Sequence, residues 1–263
     1  MSKGTKIWLA VGAGLVLAGV IVFAVAIVAL GFDFAKLGTG KYETNTYCPE
    51  GVFERIVIET EVSDIDFALS DDGKCKVVSR EEEKLKHSVE IKDGALVIRN
   101  SDERKWFDFI RIFSERQSLT VYLPESGYKS LFIETNTGDI KLGGGFSFER
   151  IEISGDTGDV ELTEITCKSL DIETDTGDIF LKSVMAEGNL SLDTDTGDVE
   201  FYRCDAGSIK ADTDTGDISG TLLTEKVFIA SSSTGNVRVP SSTKGGRCEL
   251  SSDTGDIKIS IEG

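Results

Sequence analysis

The stretch that decides the fold is TNTGDIKL at 135–142, whose core motif returns six more times along the chain. The later copies read DTGDV, DTGDI, DTGDV, DTGDI, STGNV and DTGDI. Their glycines follow one another at steps of 19 or 20 residues: Gly138, Gly158, Gly177, Gly197, Gly216, Gly235 and Gly255. Seven copies at a nearly constant step indicate a repeat architecture in which each copy is one structural unit.

Apolar and polar residues alternate on both sides of each glycine. In the first copy, Leu131 and Ile133 stand seven and five residues before the glycine, and Ile140 stands two after it. Alternation with a period of two predicts strands that bury one face. The inward positions are odd before the glycine and even after it. This change predicts a corner or bulge at Gly-Asp, where glycine can adopt a positive φ.

These strands predict an all-β fold, a parallel β-solenoid with coils of about 19–20 residues. Equivalent strands would stack about 4.8 Å apart, so that each inward column forms a continuous apolar ladder. Helical repeats are excluded by the period of two and by the content of Thr, Ser and Gly. A threonine directly before every glycine, such as Thr176, predicts a ladder of inward hydroxyl groups that bond to one another or to the corner amides.

The same register starts before the first motif. With Ser63 at the glycine position, apolar residues again fall seven and five before it and two and four after it: Ile56, Ile58, Ile65 and Phe67. Residues 51–127 are therefore predicted as degenerate coils, and 128–263 as the regular solenoid. Strands are expected at 76–79, 88–92, 95–99 and 119–123, with Asp93-Gly94 as a hairpin turn.

An insertion at 101–117, SDERKWFDFIRIFSERQ, interrupts the degenerate coils. Trp106, Phe109 and Phe113 have helical spacing among basic residues, which fits an amphipathic segment at a membrane surface. The alternative, which we favour, is an aromatic loop that covers the side or the open end of the solenoid.

The amino-terminal run at 7–32 contains no charged residue. A bilayer core of roughly 30 Å needs about 20 apolar residues, so the run predicts a transmembrane helix. A cleaved signal peptide is the alternative, but the apolar core of such a signal is only about 7–15 residues long. We expect a single-pass cell-membrane protein with residues 1–6 as a cytoplasmic tail, 33–50 as a linker and the carboxy-terminal domain outside the cytoplasm.

These features together resemble the bacterial putative-adhesin family of membrane-anchored β-strand-repeat proteins, a family defined as a domain of unknown function. The resemblance is carried by the basic amino terminus, the Gly-rich apolar span, DGALVIRN at 93–100, LTVYLPE at 119–125 and the repeated T-[DN]-T-G-D-[IV]. It implies a surface-exposed β-solenoid, often linked in Gram-positive bacteria to the cell envelope and its stress response. It supplies no catalytic residues.

Charge and histidine content exclude several classes of function. Lys plus Arg is 28 and Asp plus Glu is 46, giving a net charge of −18, and nucleic-acid binding needs the opposite balance. One histidine argues against a multi-histidine zinc site and a histidine-based triad. That residue, His87, lies in the charged run EEEKLKH and is predicted to be solvated.

Cysteine positions give two further predictions. Cys204 and Cys248 occupy apolar columns and are expected to be buried as small hydrophobic residues. The odd count of five does not suit a full disulfide framework, and Cys48 with Cys75 is the one pair considered for a disulfide.

The outward positions carry the acids. Ladders of carboxylates should repel one another and raise some pKa values, and Ca²⁺ prefers such oxygen ligands. The candidate metal ligands are aspartates of four copies of the motif. In each copy one stands two residues before the glycine and one stands directly after it: Asp156, Asp159, Asp175, Asp178, Asp195, Asp198, Asp214 and Asp217. The alternative, which we favour, is that Asp and Asn serve turn geometry and solvation. No catalytic residue and no organic cofactor is predicted.

The predicted function is a non-enzymatic, membrane-anchored cell-envelope protein that presents an acidic β-solenoid for adhesion, interaction or envelope-stress sensing. A Ca²⁺-binding surface scaffold is the alternative. A polysaccharide-acting β-helix enzyme ranks third, because the acids keep a regular register without long insertions. The predicted partners are the membrane, through 7–32, and an envelope protein or a second copy at the carboxy-terminal solenoid face. Residues 257–261 are expected to offer an unpaired strand there.

Overall fold

The structure, a computed structural model, describes residues 12, 14–21, 23, 25, 28, 41–83, 85–102 and 116–262. The chain divides into two compact units, one of residues 1–41 with 104–115 and the other of 42–103 with 116–263. In the first unit, residues 14–21 are helical and their side chains are exposed. Within the described residues, no helix combines the length and the apolar content needed to cross a bilayer. Most of the predicted transmembrane helix at 7–32 and of the insertion at 101–117 lies outside these residues.

The second unit is all β, as predicted. Seven strands precede the first regular repeat: β1 Tyr42–Tyr47, β2 Arg55–Val62, β3 Asp64–Leu69, β4 Lys76–Glu82, β5 Leu85–Lys92, β6 Ala95–Asp102 and β7 Ser118–Leu123. Eight strands form the next four repeats and the first half of the fifth, because the last strand continues from the fourth repeat into the fifth: β8 Gly127–Thr137, β9 Ile140–Leu142, β10 Ser147–Thr157, β11 Val160–Thr163, β12 Thr166–Thr176, β13 Ile179–Lys182, β14 Met185–Thr196 and β15 Val199–Thr215. The remaining strands are β16 Ile218–Leu222, β17 Lys226–Thr234, β18 Val237–Arg238, β19 Gly246–Thr254 and β20 Ile257–Ile261.

Successive repeats stack in parallel and in register. Before the corner, Ile151 of β10 lies between Leu131 of β8 and Leu170 of β12. After the corner, Val160 of β11 lies between Ile140 of β9 and Ile179 of β13. The inward columns of the interior coils are buried and form one continuous core. The predicted apolar ladders are confirmed.

Each corner of the regular repeats requires glycine. Gly177 has a φ of 152°, and a Cβ atom built on it would lie 2.0 Å from the carbonyl oxygen of Gly158 on the neighbouring coil. Real Cβ atoms do not approach so closely, so these regular corners can stack only where a side chain is absent. The predicted corner at Gly-Asp is confirmed.

The inward hydroxyl ladder exists but lies two residues earlier than predicted. Thr176 and its equivalents directly before the glycine are exposed, so that prediction is wrong. The buried hydroxyl groups stand three residues before the glycine, where Thr194 donates to Gly177 O at 3.1 Å and Thr213 donates to Gly197 O at 3.0 Å. The chain therefore starts to bend before the threonine that precedes the glycine.

The last two repeats stack in the reverse of their sequence order. Strand β19 of the seventh repeat pairs with β15 on one side and β17 on the other, and β20 lies between β16 and β18. The sixth repeat, β17 with β18, is therefore outermost. The prediction that 257–261 offers an unpaired strand is wrong for most of the strand's edges: β16 pairs with all of β20, and β18 pairs with it at Ile257 and Lys258. Within the described residues, one edge of 259–261 has no strand partner.

The other end shows the same kind of exchange. Strand β2 lies between β6 and β8, and β3 lies between β7 and β9, so the coil around Ser63 is second from the end. Antiparallel strands complete this end: β5 pairs with β6, β4 with β7, and β1 with β4. Asp93 and Gly94 have positive φ, which confirms the hairpin turn. Strand β1 falls within the predicted linker at 33–50.

Candidate functional site

The corner aspartates form a ladder of hydrogen bonds rather than free carboxylates. The backbone N–H of Asp178 donates to Asp159 Oδ1 at 2.9 Å, and the N–H of Asp198 donates to Asp178 Oδ1 at 2.8 Å. The same bond joins Asp217 to Asp198 at 2.7 Å. Each carboxylate thus accepts from the backbone of the next corner, which is the turn-stabilising role expected of Asp. This arrangement explains why aspartate recurs at one position of every interior coil.

The candidate metal ligands fall into two sets. One set belongs to the corner ladder just described: Asp159, Asp178, Asp198 and Asp217. The other set is exposed two residues before each corner glycine: Asp156, Asp175, Asp195 and Asp214. A groove of about 470 Å³ runs along the ladder and is also lined by Glu161 and Glu200. Within the described residues, no group of three or more His, Cys, Asp or Glu side chains could hold a metal ion. Calcium binding therefore stays a prediction.

Two pKa values in the acidic columns move in opposite directions. Burial, followed by the charge of Asp212 on the next coil, raises the pKa of Asp193. Hydrogen bonds from the backbone and side-chain amides of Asn236 lower the pKa of Asp256. Repulsion within one column thus adds to burial where a carboxylate is half-buried, and the pKa of Asp193 is raised as predicted for some of these groups.

His87 is buried, and the prediction that it is solvated is wrong. Its exposed fraction is 3%, and its Nδ1 atom lies 2.6 Å from Glu81 Oε2. Within this charged run, Glu81 and Glu82 end β4 and residues 85–87 begin β5, where Leu85 and His87 face inward while Lys86 faces outward. The period of two, applied to this short run, would have placed His87 beside Leu85 in the core.

Glu81 is the centre of this buried polar cluster. Its carboxylate accepts from Tyr47 OH at 2.6 Å, Asn45 Nδ2 at 2.8 Å, Ser79 Oγ at 3.0 Å and the backbone N–H of His87 at 2.7 Å. Burial alone would raise the pKa of Glu81, but the hydrogen bonds from His87, Tyr47 and Asn45 outweigh burial and hold the pKa at about 2. Burial and the bond to Glu81 raise the pKa of Tyr47. The carboxylate is therefore charged throughout the physiological range.

Ser63 extends the cluster into a Ser–His–Glu sequence. Its Oγ atom lies 3.5 Å from His87 Nε2, at the outer limit of a hydrogen bond. Its exposed fraction is 1%, and the adjoining cavity of about 110 Å³ is lined by Arg116 and Gln117. The order of contacts is that of a hydrolase triad, but the hydroxyl is enclosed where a substrate would have to approach. The geometry fits a polar cluster that fastens the antiparallel strands to the first coils.

The cysteines are free thiols. Cys204 and Cys248 are buried, which confirms their prediction as core residues. Cys48 is exposed and Cys75 is buried, and both line a cavity of about 550 Å³. Burial raises the pKa of the Cys75 thiol to about 11. The disulfide considered for this pair is not formed in the structure.

A family model described as Toastrack DUF4097 matches residues 53–263, the range that contains every strand from β2 onward. The chain belongs to the Toastrack DUF4097 family. This confirms the resemblance to a putative-adhesin family of unknown function.

Solved structures share the Toastrack fold. One is a putative adhesin from Bacteroides fragilis NCTC 9343, with a TM-score of 0.57 and 22% identity over 84% of this chain and 97% of that chain. Another is a putative lipid binding protein from Parabacteroides distasonis ATCC 8503, with a TM-score of 0.51 and 16% identity over 85% of this chain and 98% of that one. At these identities the likeness establishes the fold alone. No curated protein matches this Toastrack chain.

Proposed function

We propose that this Toastrack protein is a non-enzymatic, membrane-anchored protein of the bacterial cell envelope. Residues 7–32 anchor it in the membrane, and the stack of parallel coils lies outside the cytoplasm. There it presents an acidic surface for adhesion, interaction or envelope-stress sensing.

The observation that supports this proposal best is the unbroken ladder of bonded corners. Each interior coil is held by parallel strand pairing, by a corner glycine without a side chain and by an aspartate that accepts from the next corner. The acids that would otherwise be candidate catalytic groups are thereby committed to the backbone. A rigid, regular scaffold suits display of a surface better than it suits chemistry at one point.

A Ca²⁺-binding surface scaffold is the second candidate. The groove along Asp139, Asp159, Asp178 and Asp198 favours it, because four carboxylates line one concave surface. The ladder bonds oppose it, since an oxygen that accepts a backbone N–H has fewer lone pairs left for a cation.

The placement outside the cytoplasm can be tested with Cys48. Among the described cysteines it alone is exposed, so a membrane-impermeant maleimide should modify this one thiol in the folded protein. In intact, reduced cells that produce the full chain, we expect labelling of Cys48 without lysis.

The Cys48→Ser variant is the control and should stay unlabelled until the protein is denatured. If Cys48 in the parent is labelled only after lysis, the stack faces the cytoplasm and the proposed function is wrong.

A further inference from the structure

The outermost coil of the stack, formed by β17 and β18, has one open side. Strand β17 pairs with β19, and β18 pairs with β20; within the described residues, neither has a second partner. The corner N–H of Gly255 donates to Thr234 O at 3.0 Å, but the equivalent N–H of Gly235 meets no acceptor in the described part of the chain. A row of backbone donors and acceptors therefore faces outward here.

This coil is also the one that lacks the repeat's acids. Its motif reads STGNV. Ser233 stands where the other regular copies carry Asp or Asn, two residues before the glycine, and Asn236 stands where they carry Asp, one residue after it. The seventh copy, which lies inside the stack, keeps Asp253 and Asp256. The acids are therefore absent from the copy that is outermost in the stack, and not from the copy that comes last in the sequence. The change to Asn at 236 also fits the corner ladder, because no further corner lies outside this coil to donate to a carboxylate there.

Along β17 and its corner the open side is apolar as well as uncharged, whereas β18 carries the exposed Arg238. No charged residue occurs from 227 to 237, VFIASSSTGNV. Ile229 is 53% exposed and Val237 is 41% exposed, although the column of Val237 is buried in the interior coils. Lys226 adds no free charge, because its ammonium group is buried and bonds to Asp205 and to Ala206 O.

The opposite end of the stack is protected differently. Its edge strand β5 carries Lys86, Glu90 and Lys92, and charged side chains are a usual means of preventing edge-to-edge pairing. Strand β17 has no such protection on its outward residues. This contrast between the two ends of the stack indicates that the β17 edge pairs with another strand.

We propose that this face binds a second copy of the same chain, with β17 of one copy added antiparallel to β17 of the other. Two identical ends can meet and close only about a two-fold axis, and such a contact must be self-complementary. An uncharged apolar edge meets this condition in a protein whose net charge is −18.

This inference deepens the proposed function by naming one partner. It rests on the geometry of the stack and not on the side of the membrane, so the cell-labelling experiment and the association experiment can fail separately.

The first test is sedimentation of the full chain in detergent. We expect the parent to be dimeric and Ile229→Lys to be monomeric at the same concentration, with the melting temperature of the stack unchanged. Val52→Lys, at an exposed apolar residue in the loop before β2, is the matched control and should stay dimeric. Ser231→Asp, near the middle of β17, should weaken association about tenfold or more, because the two-fold contact then brings like charges close together.

A second test separates this contact from association through residues 7–32. In a Cys48→Ser background, cysteine is introduced singly at Ser231 or Ser233 on the open edge, and oxidation should join two chains at one of these positions. The same substitution at the exposed Ser147, on the interior strand β10, should not cross-link. A monomeric parent would overturn the proposal, as would a dimer that survives Ile229→Lys or one in which neither edge cysteine cross-links.

Discussion

At the scale of single residues, four of the seven regular coils contain two threonines in opposite environments, one three residues before the glycine and one directly before it. Thr213 is buried and donates to Gly197 O, whereas Thr215, two residues on, is exposed. The alternation of apolar residues correctly predicted the buried columns at Leu131 and Ile133. The same alternation wrongly placed the threonine directly before the glycine inside, because the identity of a polar residue does not show where the strand begins to bend.

Replacing Thr213 with Val should lower the free energy of unfolding by about 1–3 kcal/mol, because the corner carbonyl loses a buried donor. The same change at Thr215 is the control and should stay within about 0.5 kcal/mol, as is usual for surface substitutions. Urea denaturation of both variants measures the difference. Equal stability of the two variants would contradict a role for the buried hydroxyl column.

The buried carboxylate of Glu81 should make stability depend on acid pH. Its pKa falls from 4.5 to about 2 on folding, so the charged form stabilises the protein above about pH 4.5. That contribution, on the order of 3 kcal/mol, should be lost as the pH falls from about 4.5 through about 2.

Glu81→Gln should therefore be much less stable than the parent at pH 7, and the difference should shrink across this window. Glu83→Gln, at an exposed position in the same run, is the control and should leave the pH profile unchanged. Parallel stability profiles of the parent and Glu81→Gln from pH 7 to pH 2 would show that the cluster does not hold the carboxylate charged.

At the scale of the element, the corner was the feature best predicted from the repeat. The inward residues stand at odd positions before the glycine and at even positions after it, which requires a turn at Gly-Asp. Glycine is the residue whose backbone can make such a turn. The close approach of neighbouring corners could not be inferred, since it depends on the carbonyl of a different coil. The burial of His87 follows from the alternation of its own strand, but its contacts with Ser79 on β4 and with Ser63 at a corner could not be inferred, because these residues are distant in sequence.

Gly177→Ala should destabilise the stack by more than about 2 kcal/mol, since the added methyl group would collide with Gly158 O. Gly143→Ala is the matched control, because a Cβ atom there meets nothing within 4 Å. Thermal melts of the two variants give the comparison. Similar melting temperatures would mean that the corners are not closely stacked.

At the scale of the whole molecule, the sequence predicted the stack but not the order of its coils. All repeats share the same columns and nearly the same length, so a coil fits equally well beside any other. Among the seven motifs, STGNV in the sixth copy is the one that lacks both aspartates. The structure explains this exception, because the sixth coil is the outermost one.

The corner ladders should respond to cations by screening alone. Their carboxylates are already engaged by backbone N–H groups, so calcium and magnesium at equal millimolar concentration should raise the melting temperature equally. The measurement is a melting curve of the full chain, with a chelator added as control. A rise specific to calcium would favour the cation-binding scaffold instead.

The measurement that tests the account most directly is disulfide trapping between corners of the full chain in a Cys48→Ser background. Asp256 N donates to Asp217 Oδ1 and Asn236 N donates to Asp256 Oδ1, so 217 neighbours 256, and 256 neighbours 236. Neighbouring parallel strands fall within disulfide reach. We predict that Asp217→Cys with Asp256→Cys forms an intramolecular disulfide in the peptide map, and that Asp217→Cys with Asn236→Cys does not. The opposite result would show that the coils stack in sequence order and would contradict the outermost position of the sixth repeat.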